Sequence, residues 1–235
     1  MTLEVVHLVG AGPGDPGLVT RRAARLLAGA EVVVVDRRAT DAVADLAPST
    51  ATRTYVGRTP AGPAWTTAAI VDLLAAQAAA GKVVVRLKSG DPFVCSRGAE
   101  EHLALLARRV PVEVTPGVTS ATAAGAATGF PVGTTLTIAS GDRDETAAPV
   151  DWPALADLAA SLVVLTGRAQ QRTIGLALRG AGLPDHHPVA LVHAAITPAC
   201  RVVRTTLAGL GSTRLPPPTA IVVGPRDENA ARARP

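Results

Sequence analysis

Residues 83–101, VVVRLKSGDPFVCSRGAEE, constrain the fold more than any other stretch of the chain. Val83 to Leu87 reads as a buried strand, with four of its five residues apolar and three of them β-branched. The strand breaks at Ser89-Gly90-Asp91-Pro92, and a helix restarts near Arg97-Gly98, where Glu100 and Glu101 suit a first turn. Strand, glycine turn and helix together place backbone at the carboxyl end of a strand, where open α/β sheets bind ligands. Gly90 lets that backbone approach a ligand closely, and Pro92 stiffens the turn. Taken alone, the same residues also describe an ordinary turn in which Asp91 caps a helix beginning at Pro92.

The same alternation runs through the rest of the chain. Leu3–Val9 is a strand ending in GAGPGDPG at 10–17, where Asp15-Pro16 reads as N-cap and first helical position leading into Leu18–Leu27. Glu31–Asp36 is a second strand, with four consecutive valines, as expected of a sheet covered on both faces. A short helix at Thr40–Leu46, a strand near Thr54–Val56 and an Ala/Leu-rich helix at Thr66–Ala80 lead to the central strand. Residues 111–115 form a strand that stops at Pro116-Gly117. Beyond it come a small-residue helix (Ser120–Thr128), a strand (Leu136–Ala139) and a polar loop (140–149). A helix near Pro153–Ala159, a strand at Leu162–Leu165 and a helix at Ala169–Arg179 follow. Strands at Val189–His193, Arg201–Thr205 and Ala220–Val223 close the pattern, with a short helix at Leu207–Leu210. Alternating strands and helices define an α/β class. The expected division is an N-terminal α/β domain over 1–113, a second over 114–225 and a disordered tail over 226–235.

Composition narrows the partners. Hydrophobic residues make up 48% of the 235, yet no apolar run approaches the ~20 residues of a membrane span. No charged-then-apolar leader is visible, since Glu4 and His7 interrupt the first strand, so the chain reads as soluble and cytoplasmic. The net charge is +4, and the only lysines are Lys82 and Lys88. Arginine forks suit carboxylates and phosphates, which leaves a polyanionic small molecule or a nucleic acid. An aromatic content of 2% leaves few stacking platforms and argues against nucleic acid. Cys95 and Cys200 lack metal-ligand spacing and read as buried or half-buried free thiols. His186-His187 reads as a solvated turn beside Pro188, and no metal site is expected.

Several motifs compete for the glycine turns. Gly12-Pro-Gly-Asp-Pro-Gly17 matches G-x-G-x-x-G after a strand, and Asp36 ends the next strand at about the dinucleotide spacing. A nicotinamide-dependent dehydrogenase is therefore a rival reading. Against it, Pro13 and Pro16 remove two N–H donors from the loop that should cradle a pyrophosphate. A P-loop fails because Gly81-Lys82 is followed by Val83 rather than Ser or Thr, and no G-x-S-x-G or H-E-x-x-H is present.

Three turns taken together resemble a known family. GAGPGDPG at 10–17, VVVRLKSGDPFVCSRGAEE at 83–101 and VTPGVTSATAA at 114–124 are similar to the uroporphyrinogen-III C-methyltransferases of the tetrapyrrole methyltransferase superfamily. The similarity extends from about Val5 to Val223 and includes VVDR (34–37), YVG (55–57) and VALV (189–192). The resemblance implies two α/β domains with S-adenosyl-L-methionine in a cleft between them, S-adenosyl-L-homocysteine as product, and a homodimer. It carries the cofactor contacts onto Pro13, the backbone of Ser89, Gly90 and Asp91, then Val94, Thr119 and Ser120, with Thr166 and Ala195 as further positions. It implies two methylations of a reduced tetrapyrrole to give precorrin-2, on the way to sirohaem or cobalamin. Asp36 occupies the position proposed as proton acceptor, and an octa-acid substrate would give the arginine excess a purpose.

The chain also departs from that pattern. The family's Gly-Gly-Asp-Pro is Ser89-Gly90-Asp91-Pro92 here, and the lysine proposed as proton donor is Arg58, which keeps the charge but does not readily give up a proton. A polar helix start after that lysine is replaced by residues 63–70, PAWTTAAI. The His-Arg-Asp loop expected after Gly129-Phe130-Pro131 is missing, as is a methionine near Thr166. The cofactor half is better kept than the substrate half. Two alternatives stay open: a methyltransferase for another corrin-pathway intermediate, and a cofactor-binding protein with little catalysis.

Overall fold

The computed structural model describes residues 3–36, 40–57, 65–130, 135–141, 149–158 and 161–224. Arg58, most of the 140–149 loop and the 226–235 tail lie outside the described residues. The chain divides into two compact units, Met1–Thr119 and Ser120–Pro235.

The first unit is a five-stranded parallel sheet in the order β3-β2-β4-β1-β5. Its strands are β1 (Val6–Gly10), β2 (Val32–Val35), β3 (Thr52–Tyr55), β4 (Val84–Lys88) and β5 (Val112–Thr115). The four valines of β2 are all buried because both faces are covered. On one face α1 (Arg21–Ala28) and α2 (Asp41–Ala44) set Ala23, Leu27, Val43 and Ala44 against Val9, Val33, Val85 and Leu87. On the other face α3 (Thr67–Ala79) and α4 (Gly98–Ala107) set Ile70, Val71, Leu74 and Leu105 against Val6, Val32, Val34 and Val84. The contact boundary falls after Thr119, later than the expected 113/114, because β5 pairs with β1 in continuous register from Val6–Val112 to Val9–Thr115.

The second unit carries a mixed sheet in the order β6-β7-β10-β8-β9. These are β6 (Leu136–Ser140), β7 (Ser161–Leu165), β8 (Pro188–His193), β9 (Arg201–Thr206) and β10 (Thr219–Val223). β6 runs parallel to β7, whereas β10 lies antiparallel between β7 and β8. The small-residue helix α5 (Ser120–Thr128) packs Ala121, Ala123 and Ala124 against Val163, Ala190 and Val222. The opposite face takes α6 (Trp152–Asp157) and α7 (Gln171–Gly180), whose Ile174 and Leu178 meet Val164, Leu191 and Ile221.

Local chemistry corrects several expectations. The helix expected from Asp15-Pro16 through Leu27 is two pieces: a single 3₁₀ turn at Pro16–Leu18, and then α1. Val19 and Thr20 are extended between them, and the Thr20 Oγ1 caps α1 by accepting from Ala23 N at 3.1 Å. Thr20→Ala should therefore cost about 1 kcal/mol, seen as a lower urea midpoint with an unchanged slope. An unchanged midpoint would show that the cap contributes nothing. Residues 207–210 are turn rather than helix, although Leu207 and Leu210 are buried. His187 is buried rather than solvated, its Nε2 2.9 Å from Gly224 O, because the start of β8 is pinned to residue 224 by Gly224 N donating to Pro188 O. Cys95 is exposed, on a loop where its φ is 47°, and burial of part of its surface still raises its thiol pKa. No described helix is long and apolar enough to cross a membrane.

Candidate functional site

β1 lies between β4 and β5, so the turns that follow these three strands are neighbours at one carboxyl edge. They are knitted by backbone. Ala11 N donates to Lys88 O at 2.8 Å, Gly12 N to Gly90 O at 3.1 Å, and Gly90 N back to Gly12 O at 2.7 Å. Asp91 ties in the third turn: its Oδ2 accepts from Gly117 N at 3.1 Å, while Oδ1 accepts from Phe93 N at 2.8 Å. Asp91 therefore caps no helix; α4 begins at Gly98, and Asp91 bridges two turns instead.

Such close backbone contact requires glycine. A Cβ on Gly10 would lie 2.5 Å from Gly117 N and 2.7 Å from Gly90 O. Gly90 itself sits at φ 67°, a left-handed conformation that side chains with a Cβ resist. The knitting also weighs against a dinucleotide loop. The Gly12 N–H is taken by Gly90 O and the Gly17 N–H by Asp15 Oδ1 at 2.7 Å, so two donors a pyrophosphate would need are already engaged.

Two hydroxyls at this edge have no partner among the described residues. Ser89 Oγ, just past β4, and Thr115 Oγ1, the last residue of β5, are both buried without a hydrogen bond. An unmade buried hydrogen bond is costly, and a polar ligand is what such groups accommodate. Of the other expected contacts in this unit, Pro13, Val94 and Thr119 are half-buried on the same turns or the loops that continue them.

In the second unit β6, β7 and β8 share a direction, so their carboxyl ends lie on one edge. Thr166 follows β7 at φ 59°, its Oγ1 donating to Leu165 O at 2.6 Å and lying 3.4 Å from Ser140 Oγ. Ala195 follows β8 between Ala194 at φ 46° and Ile196 at φ 57°. Left-handed backbone at residues other than glycine costs roughly 1–2 kcal/mol each and clusters at ligand sites. Four of the five such residues described, with Cys95 beside Val94 among them, therefore coincide with or flank expected contact positions. Ser120 opens α5 and is half-buried.

Asp36 stands just beyond β2 with its side chain 25% exposed. Arg37 and Arg38, which follow it in the chain, lie outside the described residues. The partner seen is Arg86, whose Nη2 donates to Asp36 Oδ1, with Lys88 Nζ 3.7 Å from Oδ2. Sequence reasoning gave no site role to Arg86, Lys88 or Glu101. The available signal was a pair of cations at alternate positions of a buried strand, followed by two adjacent acids on the next helix. One acid had to face inward.

Comparison with known proteins identifies the family. Residues 5–211 match the tetrapyrrole (corrin/porphyrin) methylases. The chain is 37% identical over 230 residues to the S-adenosyl-L-methionine-dependent uroporphyrinogen III methyltransferase of Methanosarcina barkeri, covering 93% of this chain and 90% of that protein. It is 38% identical over 228 residues to the siroheme synthase of Nitrosomonas europaea, covering 93% of this chain but 48% of that protein. The chain thus spans about half the length of the siroheme synthases it matches. Among solved structures, the uroporphyrin-III C-methyltransferase of Thermus thermophilus complexed with S-adenosyl homocysteine superposes with a TM-score of 0.82 at 37% identity, covering 97% of this chain and 99% of that one. With a match over most of its length and this identity to near-full-length relatives, the chain belongs to the tetrapyrrole methylase family.

Proposed function

We propose that this chain is an S-adenosyl-L-methionine-dependent C-methyltransferase that converts uroporphyrinogen III to precorrin-2 by two methylations. The observation that carries the reading is the knitted glycine edge with two buried hydroxyls that have no partner among the described residues, found where this chain carries its GAGPGDPG, SGDP and TPG motifs. Those residues fit a polar nucleoside ligand. S-adenosyl-L-methionine, when bound, supplies a methyl on a sulfonium: the carbon–sulfur bond breaks with its electrons passing to sulfur, and a carbon–carbon bond forms. The chain's own work is to hold the reactants in line and to accept the proton released from the substrate. Asp36 takes that proton, and Arg58 anchors substrate carboxylates. The reading also includes a homodimer in the cytoplasm.

The test is an anaerobic assay of the purified protein with labelled methyl donor and uroporphyrinogen III, with S-adenosylhomocysteine binding followed by calorimetry. Tight nicotinamide dinucleotide binding without S-adenosylhomocysteine binding would overturn the reading. Binding without methyl transfer would leave a cofactor-binding protein and remove the enzymatic claim.

Two substitutions probe separate parts. Ser89→Ala removes a hydroxyl that is unsatisfied in the ligand-free protein, so its melting temperature should hold or rise. The same change should weaken S-adenosylhomocysteine binding by about 1 kcal/mol, roughly fivefold. Unchanged affinity would place the hydroxyl outside the ligand's reach. Arg58→Lys keeps the charge and loses the bidentate fork, so it should raise the KM for the tetrapyrrole with little change in kcat. A large fall in kcat at constant KM would contradict an anchoring role.

A further inference from the structure

Beneath α4 lies a cluster of charged groups that methyl transfer does not by itself require. Arg86 and Lys88 of β4 are 1% and 3% exposed, and Glu101 of α4 is 1% exposed. Glu101 Oε2 accepts from Arg86 Nε at 2.9 Å, and its Oε1 accepts from Arg86 Nη2 at 3.0 Å and from Lys88 Nζ at 2.8 Å. The same Nη2 of Arg86 donates to Asp36 Oδ1, so one nitrogen joins the two carboxylates. Arg86 Nη1 donates to Val34 O and Leu87 O at 3.3 Å, fastening the guanidinium to β2, the strand that ends beside Asp36.

Docking of α4 does not explain the cluster. Leu105 already seats that helix in the apolar core, and a buried ionic group is a poor source of stability compared with apolar packing. What the cluster does achieve is a fixed carboxylate at the sheet's carboxyl edge. Asp36 is faced by two cations from β4, and behind them stands the Glu101 anion from α4.

We propose that Glu101 is a positioning residue for Asp36, acting through Arg86 and Lys88. The proposal rests on the assignment of Asp36 as proton acceptor made above. Glu101 holds the planar face of Arg86 in one orientation, and that orientation fixes where the Asp36 carboxylate points. It also divides the charge of Arg86 and Lys88 between two anions. Were Asp36 to face both cations alone, its anion would be held more tightly and it would accept a proton less readily. Burial opposes the Arg86 charge, but Asp36 and Glu101 more than offset this and hold its pKa above the ordinary arginine value. The fork therefore stays charged throughout the working range.

Two substitutions test the role by opposite signs. Glu101→Gln leaves both cations to Asp36, so the Asp36 carboxyl, followed by carbon-13 NMR in the ligand-free protein, should titrate at lower pH than in wild type. Lys88→Met removes one cation while the Arg86–Glu101 pair remains, so Asp36 should titrate at higher pH; this variant keeps the test open if Glu101→Gln does not fold. In the methyl-transfer assay Glu101→Gln should lower kcat roughly 10- to 100-fold, with KM and S-adenosylhomocysteine affinity unchanged, and the acid limb of its pH–rate profile should move with the Asp36 titration. Wild-type turnover with an Asp36 titration indifferent to both substitutions would overturn the positioning role alone. No turnover by wild type would instead remove the reading of Asp36 on which it rests.

Discussion

Asp36→Asn should lower methyl-transfer turnover by roughly 10²-fold or more, because it removes the carboxylate assigned as proton acceptor while keeping the side chain's size. Asparagine can still turn its carbonyl toward Arg86 Nη2, so the guanidinium retains a neutral acceptor where it had an anion. The stability loss should be about 1–3 kcal/mol, the range for hydrogen bonds to charged groups. S-adenosylhomocysteine affinity should not change, since Asp36 follows β2 whereas the knitted turns follow β4, β1 and β5. The comparison needs turnover, calorimetric affinity and a melt on the same preparation. Turnover equal to wild type would exclude Asp36 from proton transfer. A loss of affinity matching the loss of turnover would show that it supports the ligand site instead.

The second large effect is expected at Gly117. An added Cβ would sit 2.3 Å from Gly90 O and 2.9 Å from Gly10 C and Cα, all backbone atoms that cannot swing aside. Gly117→Ala should force the three turns apart, costing roughly 1–3 kcal/mol or more and weakening S-adenosylhomocysteine binding at least tenfold, about 1.4 kcal/mol. Gly180→Ala is the control, since its Cβ would meet nothing within 4 Å at the end of α7. Alanine there should be neutral or stabilising by up to ~1 kcal/mol. Wild-type melting and wild-type affinity in Gly117→Ala would show that the turns are not held at contact distance.

How far the sequence carried depended on whether a feature was local. The parallel strands announced themselves as valine runs, because a strand covered on both faces needs apolar residues throughout. The three glycine turns were legible for the same reason: a left-handed φ or a contact without Cβ room selects glycine in place. What escaped was decided by partners distant in sequence. Glu101 read as an acid in a helix's first turn, and only the placement of α4 over β4 turns it inward onto Arg86, 15 positions away. His187 read as solvated because Gly224, which meets its ring, lies 37 positions on. Asp91 looked like a helix cap until Gly117 arrived at its second oxygen. At 207–210, buried leucines looked helical although their burial comes from packing against α7 and the sheet.

The position of β10 bears on how the chain is made. In the first unit the last strand to be synthesised, β5, merely adds to an edge, and the four strands before it can already pair. In the second, the last strand described, β10, is the middle of the sheet. Until it is present, β7 has no bond to β8, and the apolar faces of Leu162, Val164, Val189 and Leu191 lack their shared neighbour Ile221. During translation the first unit can close early, while the second waits with two unpaired strand edges exposed, the condition under which nascent chains aggregate. A strand only five residues long thus governs when the second half of the protein becomes safe from its neighbours on the ribosome.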